Sequence, residues 1–148
     1  MTEIEFHICE SADVDSQKYL IQQALQAYRN QSPVHIHCDD IAQANALSDA
    51  LWAHSQSCFL ANEVLTEPKS TSSKASPITL SDNIAFAAHF GTLLYSGSKE
   101  PEHISRFHKY CFIVPASEET KTLARQRYKF FKQRGYPLQH IPVTKTLF

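Results

Sequence analysis

Glycine is scarce: Gly91, Gly97 and Gly135 are the only three in 148 residues. Phosphate-cradling loops need two or three glycines within a few residues, because only glycine lets backbone amides approach a phosphate closely. The spacing here argues against nucleotide-loop chemistry. No cysteine pair has the CxxC spacing; Cys9, Cys38, Cys58 and Cys111 stand far apart, as expected of reduced thiols packed as small hydrophobes. The chain opens with no basic stretch leading into an apolar one, and it has no run of about 18 apolar residues. A cytoplasmic protein without membrane contact is expected. The formal net charge of −1 exerts no overall pull on a polyanion.

Apolar residues make up 43% of the chain and charged residues 20%, with 9 Phe, 6 Tyr and 1 Trp. This is the composition of a folded protein, and the length suits one α/β domain over residues 1–148. Ile4-Glu5-Phe6-His7-Ile8-Cys9 alternates with its apolar residues at even positions and reads as a strand. A helix follows, with Asp13 as its expected cap and Leu20, Ile21, Ala24, Leu25 and Tyr28 at helical spacing. Val34-His35-Ile36-His37-Cys38 is a second strand. Asp40 and Gln43 have capping-box spacing for a second helix, which carries Ile41, Ala44, Leu47 and Leu51, with Trp52 on its flank.

Strand and helix alternating over short connections predict a mostly parallel sheet of about four to five strands, with helices on both faces. Further strands are expected at Ile78-Thr79-Leu80, Thr92–Tyr95 and Tyr110–Val114, with a helical turn between Pro101 and Phe107. Ile84–Phe90 suits either a strand or a helical turn. The polar, low-complexity stretch 69–76 reads as a flexible surface loop. A helix over 118–134 is the clearest element: Ser117 caps it, Glu118 and Glu119 suit its positive start, and Gly135 with Pro137 ends it.

That helix concentrates charge. Residues 118–148 hold 7 Lys/Arg against 2 Glu, whereas residues 1–117 hold 7 Lys/Arg against 13 Asp/Glu. At 100° per residue, Leu123, Ala124, Phe130 and Phe131 fall on one side. Lys121, Arg125, Tyr128, Lys129 and Lys132 fall on the other, a cationic stripe with one aromatic, expected to face away from the core. The carboxylates that usually interleave such a stripe at four-residue spacing are absent. Cations around an aromatic suit an acidic, ring-bearing peptide or a single-stranded nucleic acid. Four cations alone hold bare nucleic acid weakly and with strong salt dependence.

Other constellations carry less. His35, His37, Cys38 and Asp39, with His7 and Cys9 nearby, invite a metal reading, but one face of a strand supplies only two of the three or four ligands that zinc needs. No metal site and no cofactor are expected. Cys9 at a strand end, or the His35/His37 edge, offers a nucleophile and base for a small α/β enzyme, though no oxyanion loop or orienting carboxylate accompanies them. Asp39-Asp40 sits where a ribose-binding acid would lie in a dinucleotide fold, yet no glycine occurs between Cys9 and Lys18, so helix capping is the simpler role.

Several blocks together resemble the chi subunit of bacterial DNA polymerase III. They are Cys38-Asp39-Asp40 with Gln43-Ala44; Leu47-Ser48-Asp49-Ala50-Leu51-Trp52; Ser105-Arg106-Phe107; and above all Leu123-Ala124-Arg125-Gln126-Arg127-Tyr128-Lys129 running to Gly135-Tyr136. The resemblance implies a three-layer, Rossmann-like α/β sheet without a phosphate-binding loop, and a non-catalytic adaptor of the clamp-loader complex in the bacterial replisome. It implies binding of the acidic, Phe-terminated C-terminal tail of single-stranded DNA-binding protein (SSB) at Val114, Lys121, Arg125, Tyr128 and Lys129, with Lys132 adding charge. DNA is then contacted only indirectly. The family's psi-binding aromatics match Trp52 and Phe59. After Phe59 this chain has Leu60-Ala61-Asn62 where the family often has a Pro-His pair and a Gly-Pro loop, so the second partner is a psi subunit or another protein.

Overall fold

In a computed structural model, which describes residues 2–11, 13–53, 62–66, 77–87, 91–97, 101 and 104–144, seven strands form one parallel sheet. In chain order the elements are β1 (Glu3–Cys9), α1 (Ser16–Arg29), β2 (Val34–His37), α2 (Ile41–Ala53), β3 (Asn62–Val64), β4 (Ile78–Ser81), β5 (Thr92–Tyr95), β6 (Lys109–Val114), α3 (Glu118–Gln133) and β7 (Leu138–Val143). Short 3-10 turns occupy Ile84–Phe86 and Ile104–Arg106. The strand order is β3-β4-β2-β5-β6-β1-β7. The α/β class stands, and the count of four to five strands is corrected to seven.

The two added strands are the edges. β3 is three residues long, too short for alternation to register. β7 carries Pro142, which reads against a strand in sequence but is tolerated at a sheet edge, where one side of the strand has no ladder to complete. It pairs with β1 in parallel, Phe6 opposite His140 and Ile8 opposite Pro142. Phe59 and the 69–76 stretch lie outside the described residues.

Alternation sends the apolar strand residues to one of two cores. Ile36, Ile78, Leu80, Leu94, Cys111, Ile113 and Cys9 point toward α1 and α2, where they meet Leu20, Ile21, Ala24, Leu47 and Leu51. Ile4, Phe6, Leu93, Tyr95, Tyr110, Phe112 and Val114 point the other way and meet Ala124 and Phe131 of α3 with Ile104 and Phe107. The layers are therefore α1 and α2, the sheet, and α3 with the 3-10 turn at Ile104–Arg106.

Helix ends show local chemistry at work. Asp15, not Asp13, caps α1 by accepting from the amides of Gln17 and Lys18. Half of the expected capping box of α2 forms: Asp40 accepts from the Gln43 amide at 2.7 Å, while Gln43 Oε1 reaches one residue further back and accepts from the Asp39 amide at 2.7 Å. α3 starts at Ser117, whose hydroxyl accepts from the Thr120 amide. It ends in a Schellman motif, with Tyr136 N–H donating to Phe131 O, Gly135 N–H to Lys132 O, and Gly135 at φ 81°. The apolar contact that accompanies this motif is an edge-on pair of Phe131 and Tyr136, 5.6 Å between ring centroids.

Candidate functional site

A groove of about 580 Å³ runs between α3 and the β1–β7 edge of the sheet, lined by Phe6, Ile8, Glu10, Lys121, Ala124, Arg125, Tyr128, Lys129 and His140. β1 supplies its apolar floor through Phe6 and Ile8, the even-numbered residues that face α3. β7 adds His140 beside Phe6 in the ladder. Lys121, Arg125, Tyr128 and Lys129 follow one another along the helix at spacings of three, four or one residue and so share the wall above that floor.

The expected stripe thus comes together, with Arg125, Lys129 and Lys132 exposed and Lys121 and Tyr128 on the border of the core. Tyr128 is half-buried, its ring 5.6 Å from that of Phe6 and tilted by 57°. Phe130, placed on the buried side by the helical wheel, is 41% exposed and carries the Arg134 guanidinium over its ring at 4.6 Å. The reason is the narrowness of the helix contact: Ala124 and Phe131 alone are fully buried, so Tyr128 lies on the border of the core and Phe130 beyond it.

Val114 is fully buried in the α3-side core and is not among the residues that line the groove; it stands beside Ile8 in the β1–β6 ladder. Lys132 is exposed, one turn beyond the groove wall. Trp52 projects from the end of α2, 46% exposed. Phe6, Ile8, Glu10 and His140 are groove residues that sequence reasoning missed as such. The alternation of β1 identifies the first two as facing inward, but only the position of β7 shows that Ile8 is left half-buried at the groove, with Phe6 buried beneath it.

Among the described residues no carboxylate forms an ion pair with Lys121, Arg125, Lys129 or Lys132. The groove therefore presents unneutralised cations beside apolar surface, while Glu10 contributes its one carboxylate. Such a site suits a ligand combining an apolar anchor with negative charge.

The thiol and imidazole candidates are placed differently. Cys9 is buried, and burial, aided by Asp15, pushes its thiol pKa up, away from a nucleophilic thiolate. Cys38 is buried too, its thiol pushed up to about 12 by burial and by Asp39 and Asp40. His35 is held by Thr79 Oγ1 at 2.7 Å and Ser81 Oγ at 3.0 Å, which engages both ring nitrogens. Asp39 accepts from Tyr95 Oη at 2.9 Å, in keeping with a structural role. No described helix is long and apolar enough to cross a membrane.

The sequence model of the family described as DNA polymerase III chi subunit, HolC, matches residues 1–139. DNA polymerase III subunit chi of Pseudomonas aeruginosa is 25% identical over 140 residues, covering 94% of this chain and 95% of that protein. The subunit of the same name from Escherichia coli K12 is 27% identical over 127 residues, covering 78% of this chain and 77% of its own. A match over nearly the full length, on a parallel sheet that lacks any glycine-rich loop, leads to one conclusion: this chain belongs to the DNA polymerase III chi subunit family.

Proposed function

We propose that the protein is a non-catalytic adaptor of the DNA polymerase III clamp loader in the cytoplasm, and that it captures the acidic, Phe-terminated tail of SSB in the groove under α3. The observation that carries this reading is the meeting of Lys121, Arg125, Tyr128 and Lys129 in one wall with the apolar floor of Phe6 and Ile8. The terminal Phe ring inserts against Tyr128 and Phe6. Arg125 pairs with the terminal carboxylate or an aspartate through two N–H donors, a geometry that lysine lacks. Lys121 and Lys129 steer the acidic residues, and Lys132 extends their field beyond the groove. Val114, buried beside Ile8, acts by fixing that residue of the floor.

Trp52 supports a second interface, since an exposed tryptophan is the residue type most often found as an interface anchor. Its partner is a psi subunit or another replisome protein. Two separate surfaces, α3 on one face and α2 on the other, are what an adaptor requires. Amide shift mapping by NMR tests the peptide site. An SSB-tail peptide should perturb Phe6, Ile8, Lys121, Arg125, Tyr128 and His140; perturbations clustered elsewhere, or none, would refute it.

A further inference from the structure

On the face of β1 turned away from the groove, the odd-numbered residues gather polar side chains instead of apolar ones. Glu5 Oε1 lies 2.9 Å from His7 Nε2 and 3.7 Å from Cys111 Sγ. One donor atom from each of the three residues lies within 4.8 Å of the others. Glu5 and Cys111 are 106 positions apart in the chain, so no sequence spacing announces the cluster; the β1–β6 ladder, which sets Glu5 opposite Cys111, creates it. A carboxylate oxygen, an imidazole nitrogen and a thiol sulfur form a mixed donor set within the ligand types of zinc.

We propose that Glu5, His7 and Cys111 form a binding site for a zinc-type divalent cation. Ligand–zinc bonds of about 2.0–2.3 Å in a tetrahedron set neighbouring donors about 3.3–3.5 Å apart. The Glu5–His7 and Glu5–Cys111 separations of 2.9 and 3.7 Å bracket that range, so donor shifts of a few tenths of an ångström suit these two pairs. His7 Nδ1 is hydrogen-bonded to Tyr19 Oη, the partner that orients a ligating imidazole and fixes its tautomer. On binding, His7 presents unprotonated Nε2 to the ion and carries its one proton on Nδ1, donated to Tyr19; the Cys111 proton leaves to solvent. Lys109 holds Glu5 Oε2 at 3.0 Å and leaves Oε1 for the ion. Cys111 and Lys109 also line a cavity of about 260 Å³ walled by Gln23, Gln26 and Asn30, a polar route for the ion and for a water as fourth ligand.

The test uses the full chain, stripped with chelator and titrated with Co²⁺ alone and with Zn²⁺ in competition with a chromogenic chelator. The wild type should take up one equivalent of Co²⁺ with a thiolate-to-metal charge-transfer band. Cys111→Ser should lose that band, and Cys111→Ser and His7→Gln should each weaken Zn²⁺ binding about 100-fold. Tyr19→Phe, which keeps the ring packing, should weaken it about tenfold. No stoichiometric uptake by the wild type overturns the proposal, whatever the variants do. So does a thiolate band that persists in Cys111→Ser, which would assign the ion to Cys9, Cys38 or Cys58.

Discussion

Tyr128 leans its ring on Phe6, 5.6 Å between centroids, and in doing so joins the cationic wall of α3 to the apolar floor of β1. The contact has two separable consequences. Tyr128→Phe keeps the ring and should bind an SSB-tail peptide within about threefold of wild type. Tyr128→Ala removes both the pocket wall and an aromatic pair worth about 0.5–1.5 kcal/mol beyond its area. It should lower the unfolding free energy by about 2 kcal/mol and abolish peptide binding, read by denaturant titration and calorimetry on the same sample.

Glu10 is the carboxylate among the groove residues, and it opposes the charge that the groove otherwise offers an acidic ligand. Glu10→Gln should raise affinity for the tail about two- to fivefold, more at low salt than at 0.5 M, because exposed charge pairs contribute less than about 1 kcal/mol and are screened. An unchanged Kd at low salt would place the peptide's acidic residues away from Glu10.

Gln31 follows α1 with φ 58°, in the left-handed region that costs a side-chain-bearing residue roughly 1 kcal/mol. It sits where a Schellman motif closes the helix, the Ser32 amide donating to Ala27 O and the Gln31 amide to Tyr28 O. Gln31→Gly relieves the strain and should raise stability by about 0.5–1 kcal/mol, seen as a Tm about 2–3 °C higher, with peptide affinity unchanged.

The same contrast shows what the sequence makes legible. The helix ends that carry side-chain caps or glycine, at Ser117, Asp40 and Gly135, were readable because each places a particular side chain, or none, at a fixed position. The end at Gln31 was not, since its conformation is imposed by the chain's need to enter β2 at Val34. Alternation exposed β1 and β2, and short apolar runs exposed β4, β5 and β6, but β3 is too short to register and Pro142 masks β7. The cations of the groove were legible as a helical stripe; its floor was not, because Phe6 and His140 become neighbours only through the β1–β7 ladder. Val114 shows the opposite limit. A matching residue type at a family position gave no sign that its side chain is fully buried beside Ile8.

Burial alone would raise the Glu5 carboxyl, but hydrogen bonds from His7 and Lys109 and their charges outweigh it and hold the pKa at about 2, below the ordinary 4.5. A carboxylate with a lowered folded-state pKa stabilises the fold above its unfolded value and loses that contribution as pH falls through its folded value. In chelator-treated protein the Glu5 contribution, on the order of 2–3 kcal/mol, should therefore be complete above about pH 4.5 and vanish toward pH 2. Glu5→Gln should be less stable at pH 7 and lose less than wild type between pH 4.5 and 2, as followed by urea unfolding at fixed pH steps.

The central claim is that the groove under α3 reads both the charge and the terminal ring of the SSB tail. Fluorescence anisotropy of a labelled tail peptide tests it directly, at low and physiological salt, beside Arg125→Ala and a peptide lacking its final Phe. The account predicts saturable binding in the micromolar range, about −8 kcal/mol, abolished by either change. Absence of binding at low salt, or binding that survives both changes, would contradict it.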